Sequence, residues 1–331
     1  MSLSFDNLSA LTRDKYIPLL VDNIFESNVL THRMLRKSKP SAGGNKVLQP
    51  VEYGKADAKG FYSGYDVLDT SPTEVMTSAS FDWVQGYATI SISGKEEMLN
   101  DSPERVLDLL EAKVKNAEKS LKDMYGTQLY SDNDGSTVSS SGASTGGFLG
   151  LQAIVDNGGN TIGGINSGTY TWWKAQEQAA GSSTFSDVAA SSGANSIGRE
   201  FRKMYGACTV DNDSPTIITT TQIVFDAYEE SLTAQKRFAA SDEALADAGF
   251  QNLLYRGIPV VVDDHCPAGM AFFLNENYLQ FRHHRKRNFV FEDFTKPVNQ
   301  DAAVAKMLWL GALTVSNRSR QGKITGLPTS Y

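Results

Sequence analysis

Residues 46–94 have the sequence KVLQPVEYGKADAKGFYSGYDVLDTSPTEVMTSASFDWVQGYATISISG, and this stretch decides the fold. Both of its ends are typical of β-strands, whereas residues 54–72 are rich in glycine, small polar residues and scattered aromatic side chains. No part of the stretch shows helical periodicity. It therefore predicts one long β-hairpin from Lys46 to Gly94 without a core of its own. A lone hairpin is at best marginally stable in water, so this arm must lie on another surface.

The second half of the predicted hairpin contains two alternation patterns of opposite phase. Residues 88–92 alternate between apolar and small hydroxyl side chains, which is the period-two signal of a half-buried strand. Phe81 and Trp83 lie in the opposite phase. Because the phase changes across residues 84–86, we expect a bulge or a bend there.

A long charged helix is predicted directly after the hairpin. Ser102 is suited to the N-cap and Pro103 to the first helical position. Apolar side chains then recur at three- and four-residue steps, which is typical of an amphipathic helix. These side chains are Val106, Leu110, Val114, Ala117, Leu121 and Met124. The helix should end near Tyr130.

The remaining segments predict an N-terminal arm and a second lobe of mixed helices and strands. Apolar residues at helical spacing before residue 40 predict amphipathic helix pieces broken at Pro18. In the second lobe we expect helices at 196–205 and 222–234, and strands at 216–220, 253–256, 258–263 and 270–274. The apolar segment 302–315 is predicted to be a strand that rejoins the long helix.

The composition excludes several classes of function. The 331 residues carry a net charge of −7, so nothing indicates a chain that wraps nucleic acid by bulk attraction. The sequence contains no apolar run long enough to span a membrane, and its N-terminus lacks a signal-peptide pattern, so a cytoplasmic origin is expected. Cys208 and Cys266 could pair, but such low cysteine usage indicates a reducing compartment without a disulfide framework.

Several short motifs resemble catalytic or ligand-binding sites. Residues 142–146 match G-x-S-x-G around Ser144, but serines inside low-complexity sequence precede them, which favours a chance match. The glycine-rich residues 157–168 lack the lysine of a phosphate-binding loop, so a turn-rich loop is expected. Asp263–Cys266 hold metal-capable side chains, yet neighbours on an extended chain point to opposite faces, which favours a polar turn. No catalytic residue, cofactor or metal is predicted.

Two further clusters have ordinary explanations. The basic run at 283–287 is expected to be a solvated face, or a subunit contact with acidic groups, rather than a phosphate site. Trp172 and Trp173 are expected to pack in a core or an interface rather than to stack on a ligand.

The order of the parts, arm, long hairpin, long helix, second lobe and return strand, resembles that of tailed-bacteriophage major capsid proteins with the Hong Kong 97 fold. The runs FLGLQ (148–152), NTIGGIN (160–166) and TWWK (171–174) are similar to a run in one branch of these proteins. RGIPVVVDD (256–264) and FFLN (272–275) are similar to the late strand pair of the family. The resemblance covers essentially the whole chain.

The resemblance implies an α+β fold with five parts. These are an N-terminal arm (1–44), an extended hairpin or E-loop (45–95), a peripheral (P) domain (96–149) with a spine helix at about 102–130, an axial (A) domain (150–275) and a return segment (276–331) that completes the P domain. The E-loop would lie over a neighbouring subunit. Its implied inter-subunit contacts are Lys55, Lys59, Phe61, Tyr62, Tyr65 and Trp83.

Two features of the family are not expected in this chain. The arm begins almost at Met1, so any scaffold is expected to be a separate protein. Some members cross-link an E-loop lysine to an asparagine of a neighbour, but the sequence shows no acidic catalyst environment for Lys55 or Lys59.

The function implied is a structural one. The chain would self-assemble into hexamers and pentamers that form an icosahedral head shell around phage double-stranded DNA, which it would contact non-specifically. Its other partners would be portal, scaffolding and decoration proteins, with no cofactor and no membrane. Assembly would take place in the host bacterial cytoplasm and the product would be the virion capsid. Two alternatives remain open, an encapsulin-like compartment subunit of the same fold and a serine hydrolase that uses Ser144.

Overall fold

The computed structural model describes residues 29–55, 57–69, 71–99, 103–135, 147–180, 197–232, 253–297 and 301–330, without the side chains of 97–99, 103–112, 118 and 122. Its helices are α1 (Val29–Arg36), α2 (Gly94–Leu99), α3 (Pro103–Leu129), α4 (Leu151–Ile154), α5 (Ile197–Cys208) and α6 (Gln222–Ser231), with a 3-10 turn at Thr171–Trp173. Its strands are β1 (Lys39–Ser41), β2 (Lys46–Glu52), β3 (Met76–Asp82), β4 (Val84–Ser93), β5 (Thr161–Ile162), β6 (Ile165–Asn166), β7 (Gln176–Ala179), β8 (Ile217–Thr220), β9 (Leu253–Tyr255), β10 (Ile258–Val262), β11 (Ala271–Leu274), β12 (Leu279–His284), β13 (Val290–Thr295), β14 (Ala302–Val315) and β15 (Gly322–Thr325).

The long helix α3 begins and ends within one residue of its predicted bounds. Its buried stripe contains Val114, Leu121, Tyr125 and Leu129 at steps of seven and four residues. Met124, which the apolar spacing placed on this face, is instead exposed, and the neighbouring Tyr125 occupies the core. The predicted N-cap Ser102 lies outside the described residues. Tyr125 is therefore the aromatic side chain that joins α3 to the sheet below it.

The first sheet is organised around the 14-residue strand β14. Along one edge β4 pairs antiparallel with residues 302–311, and along the other edge β13 and β12 follow one another. The short strand β1 adds parallel to the outer edge of β12. Rings of Tyr125, Phe148, Phe281 and Trp309 fill the space between this sheet and α3, with centroids 5.3–6.0 Å apart in the closest pairs. The predicted strand at 302–315 is thus confirmed as the central strand of the first sheet.

The second sheet has six strands in the order β7-β15-β11-β8-β10-β9. It confirms the strands predicted at 216–220, 253–256, 258–263 and 270–274, and helices α5 and α6 confirm those predicted from 196 and 222. Along β11, Ala271 and Phe273 belong to the core under α5 and α6, whereas Phe272 and Leu274 belong to the core of the first sheet. Because successive strand side chains point to opposite faces, this sheet separates two cores and contributes to both.

The hairpin prediction was wrong in its second half. β2 pairs only with β3, in register from Lys46–Asp82 to Glu52–Met76, and β4 leaves the hairpin to pair with β14. We expected a bulge or a bend at 84–86. The register of β4 is continuous from Val84, so there is no bulge; the phase changes instead at Trp83, where the chain passes from one sheet to the other. Period-two alternation reports that a strand is half-buried, but it does not identify the strand with which it pairs.

The last strand also lies elsewhere than the resemblance implies. Residues from 276 onward were expected to complete the domain around β14, and β12, β13 and β14 do share that sheet. β15, however, lies inside the six-stranded sheet, parallel to β7 and antiparallel to β11. The limits of the five expected parts stay a prediction. Among the described helices, none combines the length and the apolar character needed to cross a membrane.

Candidate assembly surface

The base of the hairpin packs on its own chain, contrary to the expectation of an arm without a core. Val47, Val51, Ala79 and Phe81 lie on one face of the β2–β3 pair and are buried. The carbonyl of Gly163, in the turn between β5 and β6, accepts the backbone N–H of Ser80 at 2.8 Å. This close approach depends on glycine, because a Cβ at position 163 would lie 2.8 Å from that of Ala79.

Two aromatic contacts hold the hairpin at its ends. Tyr53, just beyond β2, stacks on Trp172 with ring centroids 4.9 Å apart and an angle of 16° between the planes. The indole N–H of Trp83 donates to the carbonyl of Gly44 at 2.9 Å. Trp173 is buried and its indole N–H donates to the carbonyl of Ile162 at 3.1 Å. The tryptophan pair therefore packs within the chain, as expected.

Beyond the pair formed by Tyr53 and Val75 the hairpin becomes a projecting tip, residues 54–74, of which all but 56 and 70 are described. Its large apolar side chains are exposed, and those of Phe61 and Tyr65 are fully so. The exposed set is Phe61, Tyr62, Tyr65, Val67 and Leu68. Exposed large apolar groups gathered in one segment mark an interaction surface more often than a free one.

The described part of the tip is shaped by local hydrogen bonds. The Asp66 carboxylate accepts the Ser63 N–H at 2.8 Å, and that of Asp69 accepts the Ser71 N–H at 2.9 Å. The hydrogen bonds from Ser71 lower the pKa of Asp69. Bonds between residues two or three positions apart shape turns, but they do not attach the tip to the rest of the chain.

The structure brings together five of the six expected contact residues. Lys55, Lys59, Phe61, Tyr62 and Tyr65 all lie on the tip and are exposed. Trp83 lies at the base instead, half-buried between β3 and β4, with its ring centroid 6.1 Å from that of His284. Whether these side chains contact a neighbour stays a prediction, and for Trp83 the structure provides a role within the chain.

A groove of about 650 Å³ runs between α3 and β4. Tyr87 and Met124 line it with exposed large apolar side chains. Lys113 also lines it and forms an ion pair with Glu96 at 2.7 Å. Bonds from Lys113 and from the backbone of Ser93 lower the pKa of Glu96. β4 pairs with β14 along one edge, and no described strand pairs with the other. An open strand edge beside a groove lined by both polar and apolar side chains can accept another chain.

A buried carboxylate fastens the end of the N-terminal arm. The Glu276 side chain, 2% exposed, accepts Arg33 Nε at 2.8 Å and Lys37 Nζ at 2.9 Å. Burial raises the pKa of Glu276, but the bonds and charges of Arg33 and Lys37 outweigh it, so the pKa lies below its ordinary value. Helix α1 is thereby attached to the segment between β11 and β12.

A buried arginine, which sequence reasoning missed, holds the end of α4 and the loop that follows it. Arg318 is completely buried and donates to the carbonyls of Ala153, Ile154 and Asp156 and to Asn160 Oδ1, at 2.8–3.2 Å. Burial lowers the pKa of Arg318 to about 10, partly opposed by the charge of Asp156, so the guanidinium stays protonated at neutral pH. In the sequence it is one of several charged residues near the C-terminus and carries no signal of burial.

The motifs considered for chemistry have structural explanations where they are described. Asp263–Cys266 form a turn closed by a bond from the Cys266 N–H to the Asp263 carbonyl at 3.0 Å, as expected. Burial raises the pKa of the Asp263 carboxyl, against bonds from His265 and Tyr130 that lower it. Within the described ranges no three metal-capable side chains cluster, Cys208 and Cys266 are both free, and residues 157–168 are the expected turn-rich loop. Ser144 lies outside the described residues.

The basic run forms the turn between β12 and β13. His283 and His284 end β12, and the side chains of Arg285, Lys286 and Arg287 are exposed at the turn. Burial lowers the pKa of His283. The expectation of a solvated face is consistent with these exposures; the expected subunit contact stays a prediction.

Comparison with known proteins identifies the fold by structure rather than by sequence. No protein-family model matches the chain, and no curated protein matches its sequence. The cyanophage A-1(L) capsid subunit is 15% identical and matches 91% of this chain and 93% of its own, with a TM-score of 0.60. The capsid of a native GTA particle is 12% identical over 89% and 90%, with a TM-score of 0.56. The SrpI encapsulin complex of Synechococcus elongatus is 11% identical over 90% and 88%, with a TM-score of 0.52.

Proposed function

We propose that this chain, which has the Hong Kong 97-like capsid fold, is the major shell subunit of a tailed-phage head. It would assemble into hexamers and pentamers that close into an icosahedral shell around double-stranded DNA. The fold is common to the similar solved structures over about nine-tenths of the chain. Its role is structural and not catalytic. The virion capsid would be its location, reached by assembly in the cytoplasm of the host bacterium.

The exposed hairpin tip is the observation that carries the proposal. Five large apolar side chains lie at the end of an arm whose stem is packed on its own chain. Burying apolar surface gains roughly 25 cal/mol per Å², so a second chain that covers these side chains would gain stability. Because the stem is packed on its own chain, it holds the tip in a position from which it can contact a neighbour.

In this proposal the groove beside α3 receives the tip of the next copy. The groove and the tip lie on different parts of the chain, and both expose apolar side chains. A contact between two different surfaces of identical subunits is heterologous, and it closes into a ring when the rotation between copies permits. Rings of this kind are what hexamers and pentamers require.

Other partners follow from a shell role. Portal and scaffolding proteins would initiate and guide closure, and decoration proteins would add to the outside. The net charge of −7 supports a weak and sequence-independent contact with packaged DNA.

An encapsulin-like compartment subunit is the second candidate, supported by the match to the SrpI encapsulin. The two candidates differ in what the shell contains. Nucleic acid that purified shells protect from nuclease, and that is digested only after the shells are opened, supports the phage head. An enclosed protein cargo supports the compartment. A serine hydrolase requires activity that is lost in Ser144→Ala, whereas a shell subunit should assemble normally with that change.

Electron microscopy of the expressed chain, alone and together with its neighbouring genes, tests the proposal. Closed shells are expected in at least one condition. Monomers in every condition, including co-expression with a scaffold, would contradict a shell function. The companion variant replaces residues 54–74 by Asn-Gly, because Tyr53 and Val75 are paired and a two-residue turn suits such a hairpin.

The tip variant should give a folded subunit that forms no shells. Phe61→Ser and Tyr65→Ser test the same surface with smaller changes, and Tyr170→Ser, at an exposed aromatic outside the tip, is the matched control. Assembly should fall for the two tip substitutions and persist for the control. Normal shells from the Asn-Gly variant would remove the role assigned to the tip while leaving the shell function intact.

A further inference from the structure

β12 and β13 pair one after the other with the same edge of β14, and the β12–β13 segment carries opposite charges at two places. Arg285, Lys286 and Arg287 are exposed at the turn, and Glu292 and Asp293 are exposed on β13. Within the described part of the chain, none of the five side chains has an ion-pair partner within 4.0 Å. Lys306 lies opposite Glu292 on β14, but the two side chains do not form an ion pair. Each charged group is therefore available to another molecule.

The two charged groups are separated along the edge of β14. The Arg287 carbonyl accepts the Leu310 N–H, whereas Glu292 lies opposite Lys306, four positions away on β14. Four residues of strand span roughly 13 Å at about 3.3 Å per residue. The basic and the acidic side chains form no ion pair with each other, so solvent ions or another molecule can neutralise them.

The turn that presents the basic side chains is held firmly. The Arg287 N–H donates to the His284 carbonyl at 3.0 Å, and the Leu310 N–H donates to the Arg287 carbonyl at 2.8 Å. Phe289 has a φ of +53°, which is uncommon for a side chain other than glycine, and its buried ring lies 5.7 Å from that of Tyr125. A residue keeps such a conformation only where surrounding contacts determine it. The basic turn is therefore pre-organised, which lowers the entropic cost of a contact.

We infer that the β12–β13 segment makes a head-to-tail contact between copies, in which Arg285, Lys286 and Arg287 of one subunit meet Glu292 and Asp293 of the next. The inference rests on the proposed shell function and adds a contact different from that of the hairpin tip. The outer edge of β13 has no described strand partner, so a second copy has access to its acidic side chains. Since the two surfaces differ, the contact is heterologous and repeats from copy to copy.

A second copy is favoured over a polyanion such as DNA. The same segment that carries the three cations also carries two carboxylates, and the whole chain is acidic. Carboxylates on this segment and the net charge weaken the attraction of a phosphate backbone. In a contact between subunits, the same carboxylates would pair with the cations of the next copy. A second copy therefore accounts for both charged groups.

Charge reversal tests the inference. The turn variant is Arg285→Glu, Lys286→Glu and Arg287→Glu; the strand variant is Glu292→Lys and Asp293→Lys; the third chain combines all five changes. Like charges then face each other in the first two chains, whereas the combined chain restores opposite charges with their positions exchanged. Shell yield is measured by sedimentation and electron microscopy. It should fall at least about tenfold in the turn variant and in the strand variant, and recover in the combined chain.

Arg202→Glu, on the exposed side of α5, is the matched control and should assemble like the wild type. Circular dichroism establishes that every variant is folded. The inference is overturned if the turn variant assembles normally, or if the combined chain gives no higher shell yield than the turn and strand variants. It is also overturned if the variants lose only DNA binding in low salt. Each of these outcomes leaves wild-type shells in place, so it can be told apart from a failure of the proposed function.

Discussion

At the scale of single residues, two buried charges fix long-range order. Arg318 donates to carbonyl groups at the end of α4 and in the loop after it, and Glu276 accepts from two cations of the N-terminal arm. A buried charge stays favourable only where partners satisfy it, so each of these side chains requires segments that are distant in sequence. Neither carries a local signal, because one arginine or glutamate among others gives no period and no spacing.

Glu276→Gln should destabilise the folded chain by about 3 kcal/mol, because Arg33 and Lys37 would lose their buried counter-ion. Glu52→Gln, at an exposed carboxylate, is the control and should change stability by less than about 0.5 kcal/mol. Chemical denaturation measures both, and hydrogen exchange in Val29–Arg36 should rise only in Glu276→Gln. Equal protection of this helix in both variants would show that the carboxylate does not fasten the arm.

The pH dependence of this difference has a defined sign. The pKa of Glu276 in the folded chain lies below its ordinary value of 4.5, so its contribution to stability is fully present above about pH 4.5. It is lost as the pH falls through the lower folded value. The stability gap between wild type and Glu276→Gln should therefore be constant near neutral pH and shrink below pH 4.5. A gap that instead widens in acid would contradict the assignment.

At the scale of elements, close contacts rather than propensity decide where helices may vary. Gly126 lies inside α3, and a Cβ there would come within 2.5 Å of the His265 ring. Gly206 lies inside α5 with nothing within 4 Å of the equivalent position. Both glycines occupy helices, yet only the first is required by a neighbouring element.

Gly126→Ala should therefore lower the free energy of unfolding by about 1–3 kcal/mol, since the His265 turn must move. Gly206→Ala should raise it by about 0.5–1 kcal/mol, because alanine is the better helix former and meets nothing. Thermal and urea unfolding of the two variants measure the contrast. Stabilisation by both substitutions would mean that α3 does not pack against the turn as described.

At the scale of the whole molecule, the six-stranded sheet makes two cores interdependent. β11 places Phe273 in one core and Phe272 in the other, and β15 returns from the first sheet to the interior of the second. If one core unfolded, the sheet would lose the packing on one of its faces, and its other face supports the second core. The two lobes should not be independent folding units.

The isolated chain should therefore unfold in one cooperative transition. Far-ultraviolet circular dichroism, which follows the backbone, and tryptophan fluorescence should give the same midpoint in denaturant. Trp173 and Trp309 both belong to the first core, so fluorescence reports on that core, whereas circular dichroism follows both lobes. Two transitions with separate midpoints would show that the sheet does not couple the cores.

What the sequence determined by itself was local. Helix α3 and strand β14 followed from cap residues and apolar periodicity, and the exposed character of the hairpin tip followed from its composition. These signals are local because they record which face of an element is buried.

What the tertiary structure decided was the choice of partners. It decided that β4 pairs with β14, that Trp83 lies at the base of the hairpin and that Tyr125, not Met124, faces the core. It also brought Arg318 to its carbonyl groups and left the basic turn after β12 and the two carboxylates of β13 without ion-pair partners within the described chain. The physical reason is that a period of two or 3.6 residues identifies a buried face, whereas the group that covers it comes from elsewhere in the chain or from another copy.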